Sequence, residues 1–359
     1  MEEILSCIEP FITEKNIPTM LNTSIHLASR PVGAPDASLW RVEQAAVMPL
    51  ADGQFCVRVA FVSIDPAMRG WINEGTTYIK GVEIGAVMRA FAAGEVIESR
   101  HPDFPNGSLV TGMFGVQTFA VSNGQGVEIV AAATVDALPR YLGALGMPGM
   151  TAYWGLLDKG KPESGETVLV SGAAGAVGSV VGQIAKAQGC RVIGIAGGTD
   201  KCAYLTRELD FDAAIDYKSG NLSAQIREIA PNGVNIYFDN VGGDTLDAAL
   251  ENLARGARVV ICGAISQYNN TSDNGNPAPP QGPKNYMKIV TARGTINGII
   301  VFDYFDRAAE FRSQMQAWIQ ENKLLPKEHI VQGIERFPGA LQMLFRGENF
   351  GKLVLDVRG

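Results

Sequence analysis

The residues of this chain whose types and spacing could do chemistry are concentrated between Ala173 and Asn240. Ala173-x-Gly175-x-x-Gly178 follows an apolar, β-branched run, Thr167 to Val170, and opens a helical pattern with Val177, Val180, Val181 and Ile184 on one face. There Gly175, Ala176, Val177 and Gly178 would let the main chain approach a pyrophosphate, while the helix N-terminus offers it unpaired N–H groups. A tight turn that binds nothing would need the same glycines, so the stretch alone leaves both readings open. The second strand ends at Ile195-Ala196-Gly197-Gly198, without the carboxylate that bonds a ribose 2′-hydroxyl. Lys201 follows, where an ammonium could pair with a 2′-phosphate, and this combination selects NADP(H) over NAD(H). Tyr217 and Asn240 each follow a short apolar run, at the sheet edge where ligands bind in this architecture. A solvated lysine, a surface aromatic and an Asx turn are the competing local readings of Lys201, Tyr217 and Asn240; Asp200 could cap the helix or oppose the phosphate, and capping is the preferred reading.

The elements that must hold these residues alternate. Arg191–Ala196, 213–216, 235–238 and 258–262 read as strands, and 201–209, 222–229 and 245–253 as helices, with a sixth strand at 295–301 and a long helix at 304–320. Such alternation implies an α/β fold with a doubly wound parallel sheet covered on both faces. From Ile25 to Val130 short β runs, 55–64, 91–98 and 114–122, are separated by turn residues, which suggests a mostly antiparallel, partly barrel-like β domain. The 142–157 stretch reads as a helix entry interrupted at Met147-Pro148-Gly149-Met150, where the domains meet. The tail from His329 to Val357 reads strand, helix, strand. The expected organisation is an N-terminal extension over 1–24, the first part of the β domain over 25–145, the dinucleotide domain over 146–320, and a return to the β domain over 321–359. The 269–283 loop has the length of a lid or binding loop, with tolerated variation as the alternative.

Totals narrow the partners. In 359 residues, 30 Lys+Arg against 37 Asp+Glu give a net charge of −7, which predicts no attraction to nucleic acid or to an anionic membrane. The five cysteines are dispersed, so neither a disulfide framework nor a zinc ribbon is expected, and a reducing cytoplasm fits. With only His26, His101 and His329 available, and none at ligand spacing to a cysteine, no metal is expected. The uncharged run from Tyr141 to Leu157 is broken by glycines and a proline and does not read as a membrane span.

At Gly172 to Lys186 the chain resembles the medium-chain dehydrogenase/reductase superfamily, and more narrowly its zinc-independent branch of prostaglandin reductases, leukotriene B4 12-hydroxydehydrogenase and curcumin reductase. The likeness continues through Asp65-Pro66-Ala67-Met68-Arg69-Gly70, Gly146 to Tyr153, Tyr237 to Gly243, Cys262-Gly263-Ala264-Ile265-Ser266 and Asn349-Phe350-Gly351-Lys352. It implies a GroES-like domain joined to a Rossmann domain. It also implies that Lys201 and Tyr217 take the 2′-phosphate side of NADPH. Asn240, Cys262, Gly263, Ala264, Ile265, Ser266, Tyr268, Ile300, Val301, Phe302 and Asn349 would line its ribose and nicotinamide end, with Met68, Arg69, Met150 and Thr291 lining the substrate.

The implied activity is NADPH-dependent, zinc-independent reduction of the C=C bond of a small α,β-unsaturated aldehyde or ketone. Family tyrosines are replaced by Ala67 and Thr291, which leaves Tyr286 and Tyr78, alongside Tyr268, as candidates to meet the developing enolate oxygen. A quinone acceptor, zinc-free alcohol oxidation, and an NADPH-binding regulatory protein with little turnover are the alternatives. Relatives are often dimers, so a homodimer is compatible.

Overall fold

Six parallel strands carry the glycine-rich turn, in the spatial order Ala213–Asp216, Arg191–Ala196, Thr167–Ser171, Val234–Asp239, Leu253–Ile261, Thr295–Gly298. This computed structural model describes residues 20–74, 78–272, 278–279 and 281–359; expectations for residues 1–19 and for the middle of the 269–283 loop lie outside them. The order runs outward in both directions from Thr167–Ser171, so the connections lie on opposite faces and the switch point falls beside the glycine turn. Val168, Leu169, Val170, Ile193, Ile236 and Phe238 are fully buried, as strands covered on both faces require. This is the Rossmann arrangement.

The second sheet has seven strands and is antiparallel except where Glu328–Gln332 runs parallel to Lys352–Asp356. Its central strand, Phe55–Ser63, pairs with Ala92–Ser99, with Phe119–Ser122 and, at its far end, with Lys352–Asp356. The tail therefore reaches back some 290 residues to complete a sheet begun near the N-terminus.

Local differences from the sequence reading have physical causes. Leu21–Leu27 and Trp40–Ala46 form a hairpin-like pair, and Ser24, Ile25 and Leu27 are buried, so the segment expected as an extension to Ser24 already contains a strand. The run expected at 114–122 is a strand only over Phe119–Ser122, because Gly115 takes a left-handed φ of +79°. Met147–Trp154 is a continuous helix: Pro148 sits in the first turn, where its missing N–H has no intrahelical partner to lose. The long helix starts only at Ala308, after a 3₁₀ segment Val301–Arg307.

Helix Gly178–Ala187 packs so closely that a Cβ on Gly182 would enter the ring of Phe211, which is buried. Gly182→Ala is expected to destabilise the protein by about 1–3 kcal/mol through this overpacking. Adding Phe211→Leu should recover at least half of the shift in urea midpoint; no recovery would place the strain elsewhere.

Candidate active site

The strand Thr167–Ser171 ends in Gly172, whose φ of +57° turns the chain sharply. The chain then returns so tightly that a Cβ on Gly178 would lie 2.8 Å from Ala173 Cα, which is why no larger residue closes the helix on this turn. Next to it, Asn240 N–H donates to Ser171 Oγ at 2.9 Å and Asn240 Nδ2 to the Ser171 carbonyl at 2.8 Å. The carboxyl ends of two neighbouring strands are thereby tied together, with main-chain N–H groups at the start of a helix facing the gap between them.

At the end of the strand Arg191–Ala196, Gly197 gives way to other side chains: a Cβ there would lie 2.8 Å from Tyr217 Cε1 and 3.1 Å from Lys218 Cε. Lys201 reaches the same edge, donating to the Gly347 carbonyl at 2.8 Å and lying 5.4 Å from the centre of the Phe350 ring. Burial holds its ammonium pKa below the usual lysine range, and the nearby Lys218 charge adds to this. Asp216, the carboxylate at hand, is engaged by the N–H groups of Gly198 and Lys218. The corner thus presents two cations with a hydrogen-bonding phenol beside them, a donor set suited to a phosphate.

Between the two sheets lies a cavity of about 600 Å³. One wall is the glycine turn with Asn240, Cys262, Gly263 and Tyr268; the other is the 64–67 segment with Trp71 and Tyr78; Ile300, Val301 and Phe302 close the end. The Tyr268 hydroxyl accepts the Ala264 N–H at 3.2 Å, which leaves its own hydrogen free for the cavity. Burial pushes this phenol above its ordinary pKa, so it stays protonated. Tyr78 is set similarly: its hydroxyl accepts Trp71 Nε1–H at 3.1 Å, and its ring meets Phe302 edge-on at 5.9 Å from across the cleft.

Of the residues singled out from sequence, Gly175, Ala176, Val177, Gly178, Lys201, Tyr217, Asn240, Cys262, Gly263, Ile265, Ser266, Tyr268, Ile300, Val301, Phe302, Asn349 and Tyr78 line this one cavity. Ala264 contributes its N–H to Tyr268 from just behind it. Five others do not line it. Tyr286 is 60% exposed, and Thr291, also exposed, turns its hydroxyl back onto the Lys288 carbonyl. Met68 and Met150 are each buried in a different hydrophobic core. Arg69 is wholly buried, donating to the Gly33 carbonyl, Asn73 and Asn269, and so acts as a staple between segments. Within each of these motifs neighbouring residues do face the cavity, Pro66 and Ala67 in one, Met147, Pro148 and Thr151 in the other. Sequence reasoning missed Gly197 and Lys218; a second lysine one position after Tyr217 was the available signal.

Among the described residues no three His, Cys, Asp or Glu side chains converge as a metal-binding group, and no helix is long and apolar enough to cross a membrane. Residues 23–130 match the family described as the N-terminal domain of oxidoreductase, and residues 176–321 the zinc-binding dehydrogenase family. The chain is 40% identical over 335 residues to the NADPH-dependent curcumin reductase of Escherichia coli K12, covering 93% of this chain and 96% of that protein. It is 39% identical over 329 residues to prostaglandin reductase 1 of Bos taurus, covering 90% and 95%. The crystal structure of CurA from Vibrio vulnificus in complex with NADPH superposes with a TM-score of 0.88 at 41% identity, covering 94% of this chain and 99% of that one.

Cys262 lines the cavity, where burial pushes its thiol up to about 12 and the Asp239 carboxylate adds to the effect. At pH 8 the reactive thiolate is a small minority of molecules. N-Ethylmaleimide at pH 8 is therefore expected to leave the Cys262 peptide unlabelled in the folded protein and to label it in urea. Rapid labelling of that peptide in the folded state, read by mass spectrometry, would contradict this account of the thiol.

Proposed function

Because this chain belongs to the zinc-independent branch of the medium-chain dehydrogenase/reductase family, we infer that it is an NADPH-dependent reductase of carbon–carbon double bonds conjugated to a carbonyl. The observation that carries this reading is the meeting, in one cavity, of a glycine turn, the Lys201 ammonium with Tyr217, and a buried phenol with a free hydrogen. The named functions of the relatives, curcumin reductase and prostaglandin reductase, support the substrate class.

The residues fit the cofactor. The cradle at Gly175 and Gly178 would hold the pyrophosphate, since a Cβ at Gly178 would fill the space that the close turn requires. Lys201, Tyr217 and Lys218 would take the 2′-phosphate, and Asn240, Cys262, Gly263 and Asn349 would lie along the ribose and nicotinamide. When bound, the reduced nicotinamide supplies a hydride to the β-carbon of the enal or enone. Tyr268 offers its hydrogen to the carbonyl oxygen, where negative charge grows, and the Ala264 N–H fixes the direction of that offer. The apolar wall of Trp71, Phe302 and Ile300 excludes water from the conjugated chain. Uptake of a proton at the α-carbon completes the reduction. A saturated carbonyl product separates this reading from a quinone acceptor or alcohol oxidation.

A cytoplasmic homodimer belongs to the same proposal. The edge strand Thr295–Gly298 and the nearby exposed Met287, Val290 and Ile296 support a second copy at that edge.

Lys201→Ala removes one charge-assisted contact to the 2′-phosphate, about 1.5–3 kcal/mol. Titration calorimetry should show NADPH affinity falling about 10- to 100-fold with NADH affinity little changed; equal losses for both cofactors would remove Lys201 from the 2′-phosphate site. Tyr268→Phe should lower kcat/KM for an enone about 100-fold while the NADPH Kd stays within about twofold. Unaltered steady-state kinetics would exclude Tyr268 as the donor.

A further inference from the structure

Gly351 and Lys352 are consecutive residues that grip opposite walls of the cavity. The Gly351 N–H donates to the Ala174 carbonyl at 2.8 Å, and its backbone bridges Gly175 in the cofactor turn. It does so at a φ of +62°, where a Cβ would strike the Lys327 carbonyl. One residue on, the Lys352 side chain runs to the substrate wall, where Nζ donates to the Ile64 carbonyl at 2.7 Å and to Asp65 Oδ1 at 2.9 Å. The other Asp65 oxygen accepts the Ser63 hydroxyl, and the Ile64 N–H donates to the Leu353 carbonyl at 3.1 Å, so the wall is held from both sides. The Lys352 stem also crosses the link between the sheets: a Cβ on Gly143 would lie 3.3 Å from Lys352 Cβ.

The ion pair is buried, with side-chain exposures of 2% for Lys352 and 6% for Asp65. Such a pair is costly to desolvate, and apolar side chains of similar volume often stabilise a fold as well or better, so stability alone is a weak reason for it. Its location supplies a stronger one. Ile64, Asp65, Pro66 and Ala67 line one wall of the cavity, Ala174 and Gly175 the other, and only the peptide between Gly351 and Lys352 separates the two grips.

We propose that Lys352 and Asp65 are positioning residues that fix the 64–67 wall against the cofactor turn and thereby set the register between substrate and hydride donor. This rests on the double-bond reductase reading. Hydride transfer tolerates little misplacement, and a shift of about 1 Å costs on the order of 100-fold in rate.

The test compares wild type, Lys352→Met and the double variant Lys352→Met/Asp65→Asn, which leaves no unpaired buried charge if the single variant folds poorly. In wild type, NADPH should slow amide hydrogen exchange in the 64–71 peptide as well as in the 172–178 turn. In the variants protection of the turn should persist, with NADPH Kd within about threefold, while protection of 64–71 is lost. Single-turnover NADPH oxidation by benzylideneacetone should slow about 10- to 100-fold, with a raised KM. Persistent NADPH-linked protection of 64–71 in both variants, or unchanged single-turnover rates, would overturn the proposal. Failure of wild type to reduce any enone would defeat the reductase reading instead, and the exchange measurement would still decide whether the pair couples the two walls.

Discussion

The cleft exists because two neighbouring parallel strands end at fixed places, and a buried carboxylate holds them there. Asp239, with no exposed surface, receives on one oxygen the Ser171 hydroxyl at 2.9 Å, the Tyr237 hydroxyl at 2.7 Å, and the N–H groups of Val241 and Gly242, both at 3.0 Å. Ser171 belongs to the strand that enters the glycine turn, whereas Val241 and Gly242 belong to the next crossover. Charge-assisted bonds of this kind are short and strong, and here all of them converge on Oδ1, while Oδ2 is buried without a partner among the described residues. Burial, reinforced by the Asp239 charge, drives the Tyr237 phenol well above its ordinary pKa, so it remains a donor to that charge. Burial, with the same carboxylate adding to it, raises the pKa of the Cys262 thiol beside the cavity. One residue thus ties the ends of the two strands, and Ser171, which donates to it, in turn holds Asn240.

The rest of the cleft is built by chain segments far apart in sequence. The sheet centred on Phe55–Ser63 is incomplete until Lys352–Asp356 pairs with it, and that same strand begins at the contact between Gly351 and Ala174. Closing such a long loop is entropically costly, and the cost is offset by apolar burial of Leu353, Val354 and Leu355, none more than 1% exposed. The energetic anchor of the tail and the geometric anchor of the active site are therefore one element. Arg69 adds a polar tie of the same type, linking the short helix after the substrate wall to Asn269, next to Tyr268.

This division explains what the sequence made legible. The alternating strands and helices between 167 and 320 are visible because burial on both faces leaves continuous apolar runs, and the turn is visible because glycine is required where Gly178 meets Ala173. Lys201, Tyr217 and Asn240 were found because each follows a strand whose end defines a position in space. Side-chain facing within a motif was not legible. The run Asp65 to Gly70 lies at the cavity, yet a short helix over Met68–Trp71 sends Met68 into the core and Arg69 toward Gly33, leaving Ala67 at the surface of the site. Tyr286 and Thr291 sit by a helix of only five residues, whose direction depends on tertiary packing. The Asp65–Lys352 pair, 287 residues apart, has no local signature at all.

Ala67 and Thr291 stand where the family resemblance would expect tyrosines, and the proposed donor is instead Tyr268. What an enolate oxygen needs is a hydrogen already pointed at it, since reorienting a dipole during the reaction would cost much of its benefit. Tyr268 has that orientation because the Ala264 N–H occupies its hydroxyl oxygen, and Ala264 is itself set by the chain leaving the strand Leu253–Ile261. The donor's direction is thus a property of the main chain. Burial raises the Tyr268 pKa, which makes the phenol a poorer acid but a persistent donor. On the proposed assignment of Tyr268 as donor, the site lowers the barrier chiefly by stabilising charge on oxygen.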